Sequence, residues 1–307
     1  MKLRDYSIVL IAATLITATP LFATELGDPA PELKVTEWLK GEPVVLADGK
    51  DKNVYVIEIW ATTCPHSCAC IPYLTEMQKK YQERGVVFIA LSSERASTLK
   101  RFVAKMGAKM EYRVAVDQHQ ATAKQYMQGF QVNTIPHTFL IDKSGAVVWH
   151  GHPMHGLEKA LDAVLAGTYD IEARRRVEEA RRLMPSYIQK VRSAGRADEA
   201  AELGEKIITY GQGDALLMKE FAWTIVAKPG LAKRDLKLAM RAAQTAYDAC
   251  EGKDAGIVDT YARVLFETGK REEAVEYQEK AVKLAEGQEF QKELQETLDM
   301  YRHLAGE

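Results

Sequence analysis

Residues 60–72 read W-A-T-T-C-P-H-S-C-A-C-I-P and contain three of the chain's four cysteines, Cys64, Cys68 and Cys70. The stretch follows an apolar run, Val54 to Ile59, that reads as a central strand buried on both faces. It opens a helical pattern that runs to about Gly85, with Ile71, Leu74, Met77 and Tyr81 at helical spacing. Cys64 therefore stands at a strand-to-helix turn. Unpaired backbone N–H groups and the positive end of the helix dipole meet there and favour thiolate over thiol. A free cysteine titrates at about 8.5, and this setting lowers that value. Pro65 suits the first helical turn, because its missing N–H has no partner to lose. Cys64 is thus the expected nucleophile, and a merely buried cysteine is the plain alternative.

Cys68 lies four residues on, hence on the same helical face. Helix rise and radius put such Cα atoms about 6 Å apart, inside the disulfide window of roughly 4.4–6.8 Å. A Cys64–Cys68 bridge is then possible with some unwinding of the first turn. Cys70 faces elsewhere, and Cys250 stands alone in the other half of the chain. Glu58 interrupts the apolar strand just before the turn. A buried carboxylate is expensive and titrates high.

Beyond this stretch the pattern continues in α/β fashion. Residues 24–52 read as a lead-in arm, with Leu33 to Trp38 weakly alternating. Val86 to Leu91 reads as a buried strand, followed by a helix carrying Leu99, Phe102, Val103 and Met106. Tyr112 to Val116 is a short strand, and Ala123, Tyr126, Met127 and Phe130 mark a helix. Thr138 to Ile141 and Ala146 to His150 form a hairpin across Asp142-Lys-Ser-Gly. Leu157, Leu161, Val164 and Leu165 close the unit with a helix.

W-A-T-x-C-P with I-P on the same helix resembles the thioredoxin-like proteins of the TlpA/ResA type, over roughly Gly27 to Gly167. The resemblance implies a thioredoxin-like fold and extracytoplasmic thiol–disulfide exchange in bacteria. One departure stands out: the family has C-x-x-C, whereas this chain has C-x-x-x-C. Ser67 occupies the usual second-cysteine position, and Cys70 the position usually held by Glu. By similarity, Cys68 becomes the resolving thiol and Glu58 the buried acid that relays its proton. His66 resembles the histidine of DsbA-like C-P-H-C loops, where it stabilises the thiolate. Ile135-Pro136, within N-T-I-P-H-T-F-L-I-D, resembles the cis-proline segment facing the active site. Together with Trp60 it is expected to meet substrate. C-x-x-x-C plus a distant histidine also resembles the copper set of Sco-type chaperones. Cys64, Cys68 and His137 would be the ligands there, two thiolates and an imidazole suiting Cu(I). His150, His152 and His155 cluster after the last strand. The main expectation needs no cofactor. A scaffold that kept the fold without catalysis is a further alternative.

After Gly167 no strand signal appears and internal repetition takes over. G-R-A-D-E-A (195–200), D-L-K-L-A (235–239) and G-K-R-E-E-A (269–274) place Ala200, Ala239 and Ala274 at 39- and 35-residue intervals. A tetratricopeptide unit is about 34 residues long. In the last repeat Ala262, Ala274 and Ala281 fall where small residues are expected. Three tetratricopeptide-like hairpins that bind a protein partner are the expectation, with an irregular helical bundle as the alternative.

The 307-residue length suits two domains, here 24–168 and 169–307. Residues 1–23 read as a signal peptide: Lys2 and Arg4 precede the apolar run Ile8 to Ala18, with Ala23 at the cleavage position. Export to the periplasm or a similar compartment follows. A membrane enters only if the segment stays as an anchor. Cleavage leaves 39 of 41 basic and 42 of 43 acidic side chains, net −3. With no basic run, nucleic acid is not an expected partner.

Overall fold

The computed structural model describes residues 24–193, 195–231 and 234–306; the leader read at 1–23 lies outside the described residues. The chain divides into two compact units, Met1–Gly156 and Leu157–Glu307.

The first unit is built on a six-stranded sheet with helices supplied by its crossovers. Its elements are β1 (Val35–Lys40), β2 (Val54–Ile59), α1 (Pro65–Tyr81), β3 (Val86–Ser92), α2 (Ala96–Met106), β4 (Arg113–Asp117), α3 (Ala121–Gly129), β5 (His137–Ile141) and β6 (Val147–Gly151). The order across the sheet is β1-β4-β3-β2-β5-β6. β2, β3 and β4 run parallel, and β1, β5 and β6 pair antiparallel. Parallel neighbours need crossovers, which α1 and α2 provide, and β2 is consequently buried at all six positions.

The lead-in arm is tied at both sheet edges. β1 pairs along β4. Before it, Gly27 N–H donates to Val147 O (2.8 Å) and Ala30 N–H to Gly145 O (2.9 Å), beside β6. The β5–β6 hairpin turns at Asp142–Gly145. The Asp142 carboxylate accepts from Ser144 N–H at 2.9 Å, and Gly145 adopts φ +84°, a conformation that favours glycine. α1 ends at Tyr81 and a short 3-10 turn carries the chain to Gly85 (φ +76°).

The second unit is all-helical among the described residues: α4 (Leu157–Ala166), α5 (Ile171–Arg192), α6 (Ala197–Gly211), α7 (Ala215–Ala227), α8 (Leu236–Ala249), α9 (Ala255–Glu267), α10 (Arg271–Leu284) and α11 (Gln291–Ala305). The division places α4 here, whereas the sequence reading counts it with the first domain. α5 packs on α6, α7 on α8 and α9 on α10, and the three repeated motifs open α6, α8 and α10. Ala239, Ala262, Ala274 and Ala281 are fully buried, as close helix contacts require. Asp214, Asp235 and Asp254 cap α7, α8 and α9 through backbone N–H groups at 2.9 Å. Among the described residues no helix is long and apolar enough to cross a membrane.

Candidate active site

Cys64 is the N-cap of α1, with extended backbone (φ −93°, ψ 111°) and Pro65 as the first helical residue. Its sulfur accepts from Ser67 N–H at 3.4 Å and lies 3.7 Å from the Ile135 carbonyl. The Ile135–Pro136 peptide is cis, as the resemblance implied, and Ile135 is exposed beside the sulfur. The Cys64 thiol is pulled below its ordinary value. The Ser67 hydroxyl is the largest influence. Burial opposes it as the next influence, and the backbone N–H groups of Ser67 and His66 add smaller lowering contributions. His66 thus acts through its backbone. His66 itself is exposed.

Cys68 N–H donates to Cys64 O at 3.1 Å, an ordinary helical bond, so the first turn is wound. The Cys68 thiol donates to the Thr62 carbonyl at 3.4 Å. Burial pushes it upward, and the charges of Cys64, Glu94 and Glu58 add to the rise. All four cysteines are free thiols here. Ser67 is fully buried beneath Cys64, and no group meets its hydroxyl at full hydrogen-bond geometry. Cys70 is buried. Its thiol donates to His66 O (3.2 Å) and lies 3.9 Å from His152 Nε2. Burial and the nearby acids push it to about 12, which makes it inert near neutral pH.

Glu58 lies in the middle of the sheet, paired with Thr138 on β5 and Ala90 on β3. Both carboxyl oxygens are buried without a hydrogen-bond partner. Burial, and then the Cys64 charge, raise it from 4.5 to about 8. The hydroxyls of Thr138 and Tyr112 are likewise buried and unpartnered. Burial and the Glu58 charge hold the Tyr112 phenol far above its ordinary range. A buried acid poised near 8 can take a proton from a thiol and return it.

Two expectations need correction. Trp60 is only 2% exposed and packs against Phe102 with ring centroids 5.5 Å apart. It supports the turn from beneath and presents no face to a substrate. His137 is not brought to Cys64 and Cys68. Strand neighbours alternate faces. Glu58 and Thr138 share the face that carries the thiols, and His137 takes the other. There His137 Nε2 lies 3.0 Å from His150 Nδ1, among the rings of Phe139 and Phe130. Among the described residues no three His, Cys, Asp or Glu side chains are disposed to hold a metal ion, so the Sco-like set is not assembled.

Glu94 escaped the sequence reading. From the loop after β3, its carboxylate accepts from Thr62 N–H and Thr62 Oγ1, both at 2.7 Å. Nothing in the S-S-E segment signals this contact, which joins residues 32 positions apart.

The sequence profile of the AhpC/TSA family matches residues 26–150. ResA, the thiol–disulfide oxidoreductase of Bacillus anthracis, is 37% identical over 125 residues, covering 40% of this chain and 68% of that protein. ResA of Geobacillus kaustophilus is 30% identical over 146 residues, covering 46% of this chain and 79% of its own length. The chain belongs to the ResA thiol–disulfide oxidoreductase family. FixW of Rhizobium leguminosarum is 26% identical over 160 residues, covering 50% of this chain and 71% of that protein. A solved thiol–disulfide isomerase from Corynebacterium glutamicum is 24% identical, with a TM-score of 0.39 over 45% of this chain and 96% of its own. The profile match ends at residue 150, so the ResA-like part carries every thiol discussed here except Cys250.

Proposed function

We propose that the chain exchanges thiols and disulfides on protein substrates through Cys64 and Cys68. The Cys64 thiolate attacks one sulfur of a substrate disulfide. A Cys64–substrate disulfide forms and one substrate thiolate leaves. Cys68 then attacks the Cys64 sulfur, closing a Cys64–Cys68 bridge and releasing the second substrate thiol. Glu58, in its ionised form, takes the Cys68 proton. Two electrons pass from the protein to the substrate, and a dithiol reductant restores the free thiols.

One observation carries this reading: a lowered thiol and a raised thiol sit one helical turn apart, with a buried base of value about 8 beside them. The cis Ile135–Pro136 segment lies within reach of Cys64, where its backbone can pair with an extended substrate. The family membership and the leader read at 1–23 together favour an extracytoplasmic location. The paired helices and buried alanines of the second unit support a tetratricopeptide-like surface for a protein partner.

The test is insulin reduction by the full chain with dithiothreitol, together with metal content on the same sample. Cys64→Ser should abolish turnover, and Cys68→Ser should accumulate a mixed disulfide at Cys64. Wild-type protein that reduces nothing would leave a scaffold. Tight Cu(I) binding through Cys64 and Cys68 would replace exchange with copper handling.

A further inference from the structure

The Cys68 thiol, proposed to resolve, donates to the Thr62 carbonyl at 3.4 Å. Cys64 and Cys68 lie one turn apart on α1, yet their sulfurs meet different carbonyls, Ile135 O and Thr62 O. A carbonyl oxygen accepts from S–H and repels S⁻. The Thr62 contact therefore holds Cys68 in its protonated form, in a fixed direction. To attack Cys64, Cys68 must break this bond and lose its proton.

The Thr62 carbonyl is itself held in place. Thr62 N–H and Oγ1 both donate to the Glu94 carboxylate at 2.7 Å. Ser92 Oγ donates to the same carboxylate at 3.0 Å. Hydrogen bonds to an ionised carboxylate are about twice as strong as neutral ones. The loop after β3 thus fixes the turn before α1 from outside the helix. Among the described residues, the charged or titratable groups acting on Cys68 are Cys64, Glu94, Glu58 and Tyr112, none of them a cation. Cys64 meets its carbonyl at the longer distance of 3.7 Å and, unlike Cys68, also accepts from a backbone N–H, that of Ser67 at 3.4 Å. The two thiols are therefore coupled through the Cys64 charge, while the Thr62 contact acts on Cys68 alone.

We infer that Glu94 is a positioning residue for the resolving step: by clamping Thr62 it keeps Cys68 parked as a hydrogen-bonded thiol and prolongs the mixed disulfide at Cys64. This rests on the proposed roles of Cys64 and Cys68. When Cys64 enters a mixed disulfide its charge disappears, which removes one of the influences opposing Cys68 ionisation, while that of Glu94 stays. The remaining delay gives a protein substrate time to dock before it is released.

The experiment uses one equivalent of the aryl disulfide dithiobis(nitrobenzoate) on the full reduced chain carrying Cys250→Ala. Attack by Cys64 releases one coloured nitrothiobenzoate. Resolution by Cys68 releases the second from the Cys64 mixed disulfide. Glu94→Gln keeps the volume and one acceptor but removes the charge. It should leave the first phase within about twofold and move the pH midpoint of the second phase down. For a midpoint one pH unit lower, the second phase should run about threefold faster near neutral pH, the gain in thiolate being partly offset by its weaker nucleophilicity. Thr62→Val, which removes one of the two clamp bonds and leaves the charge, should shift the second phase in the same direction by less. If both phases move together, or if neither variant changes the second phase, the role of Glu94 is overturned. If the wild type releases only one equivalent, Cys68 does not resolve, and the proposed function falls along with this inference.

Discussion

Glu58 offers a sharp test of how burial shapes this site. Its carboxyl titrates at about 8 when folded against 4.5 when unburied. Between those values the native state holds a proton that the unfolded chain has released. Stability therefore falls as pH rises from the unburied value and levels off only above the folded one. The loss is about 1.36 kcal/mol per pH unit, roughly 5 kcal/mol over the whole window. Glu58→Gln replaces the acid with a neutral group of the same shape. The amide is buried without partners, a penalty of about 1–3 kcal/mol that does not vary with pH. The stability of Glu58→Gln relative to wild type should then improve by about 3 kcal/mol between about pH 5 and about pH 7.5, whatever its absolute offset. Urea unfolding under reducing conditions measures this. Both proteins should carry Trp223→Phe, so that Trp38, Trp60 and Trp149 of the first unit alone report. Parallel stability curves across this range would refute the reasoning, because they would mean that Glu58 reaches solvent or a partner in the native protein.

Competitive alkylation near neutral pH, read by mass spectrometry, should label Cys64 ahead of Cys68, with Cys70 last, since Cys64 is lowered, Cys68 raised and Cys70 pushed to about 12. Equal rates would remove the nucleophile assignment. Ser67→Cys combined with Cys68→Ala places the second thiol three residues after Cys64, directly beneath it, and should speed insulin reduction severalfold. An unchanged rate would show that the shifted cysteine does not limit turnover. In the second unit, Asp214 caps α7 and also pairs with Arg174 and Arg181 at 3.2 Å. Asp214→Ala should cost about 1–2 kcal/mol, and Asp214→Asn, which keeps the cap, distinctly less, in thermal unfolding followed by circular dichroism.

Wherever the controlling interactions are local, the sequence alone was enough. β2, the start of α1, the β5–β6 hairpin and the helices of the second unit follow from apolar period, proline and glycine placement, and turn residues. The downward direction of the Cys64 thiol is local for the same reason: the Ser67 hydroxyl and the N–H groups of His66 and Ser67 come from the residues that follow it. The high value of Glu58 was legible because a single carboxyl in a strand buried on both faces has few ways to reach water.

Tertiary structure decided the rest. A one-residue difference in how β5 lies on β2 would exchange Thr138 and His137 between the two faces of the sheet. The pairing of Glu58 with Thr138 keeps His137 away from the thiols, and no residue within β5 announces that register. Trp60 is buried because Phe102 arrives from α2. Tyr112 reaches Glu58 through the approach of β4, and Glu94 reaches Thr62 from the loop beyond β3. Each of these depends on segments far apart in the chain, brought together only when the sheet closes. Side-chain chemistry and spacing near Cys64 set the direction of its thiol. The packing of distant strands and loops sets the state in which its partner thiol waits.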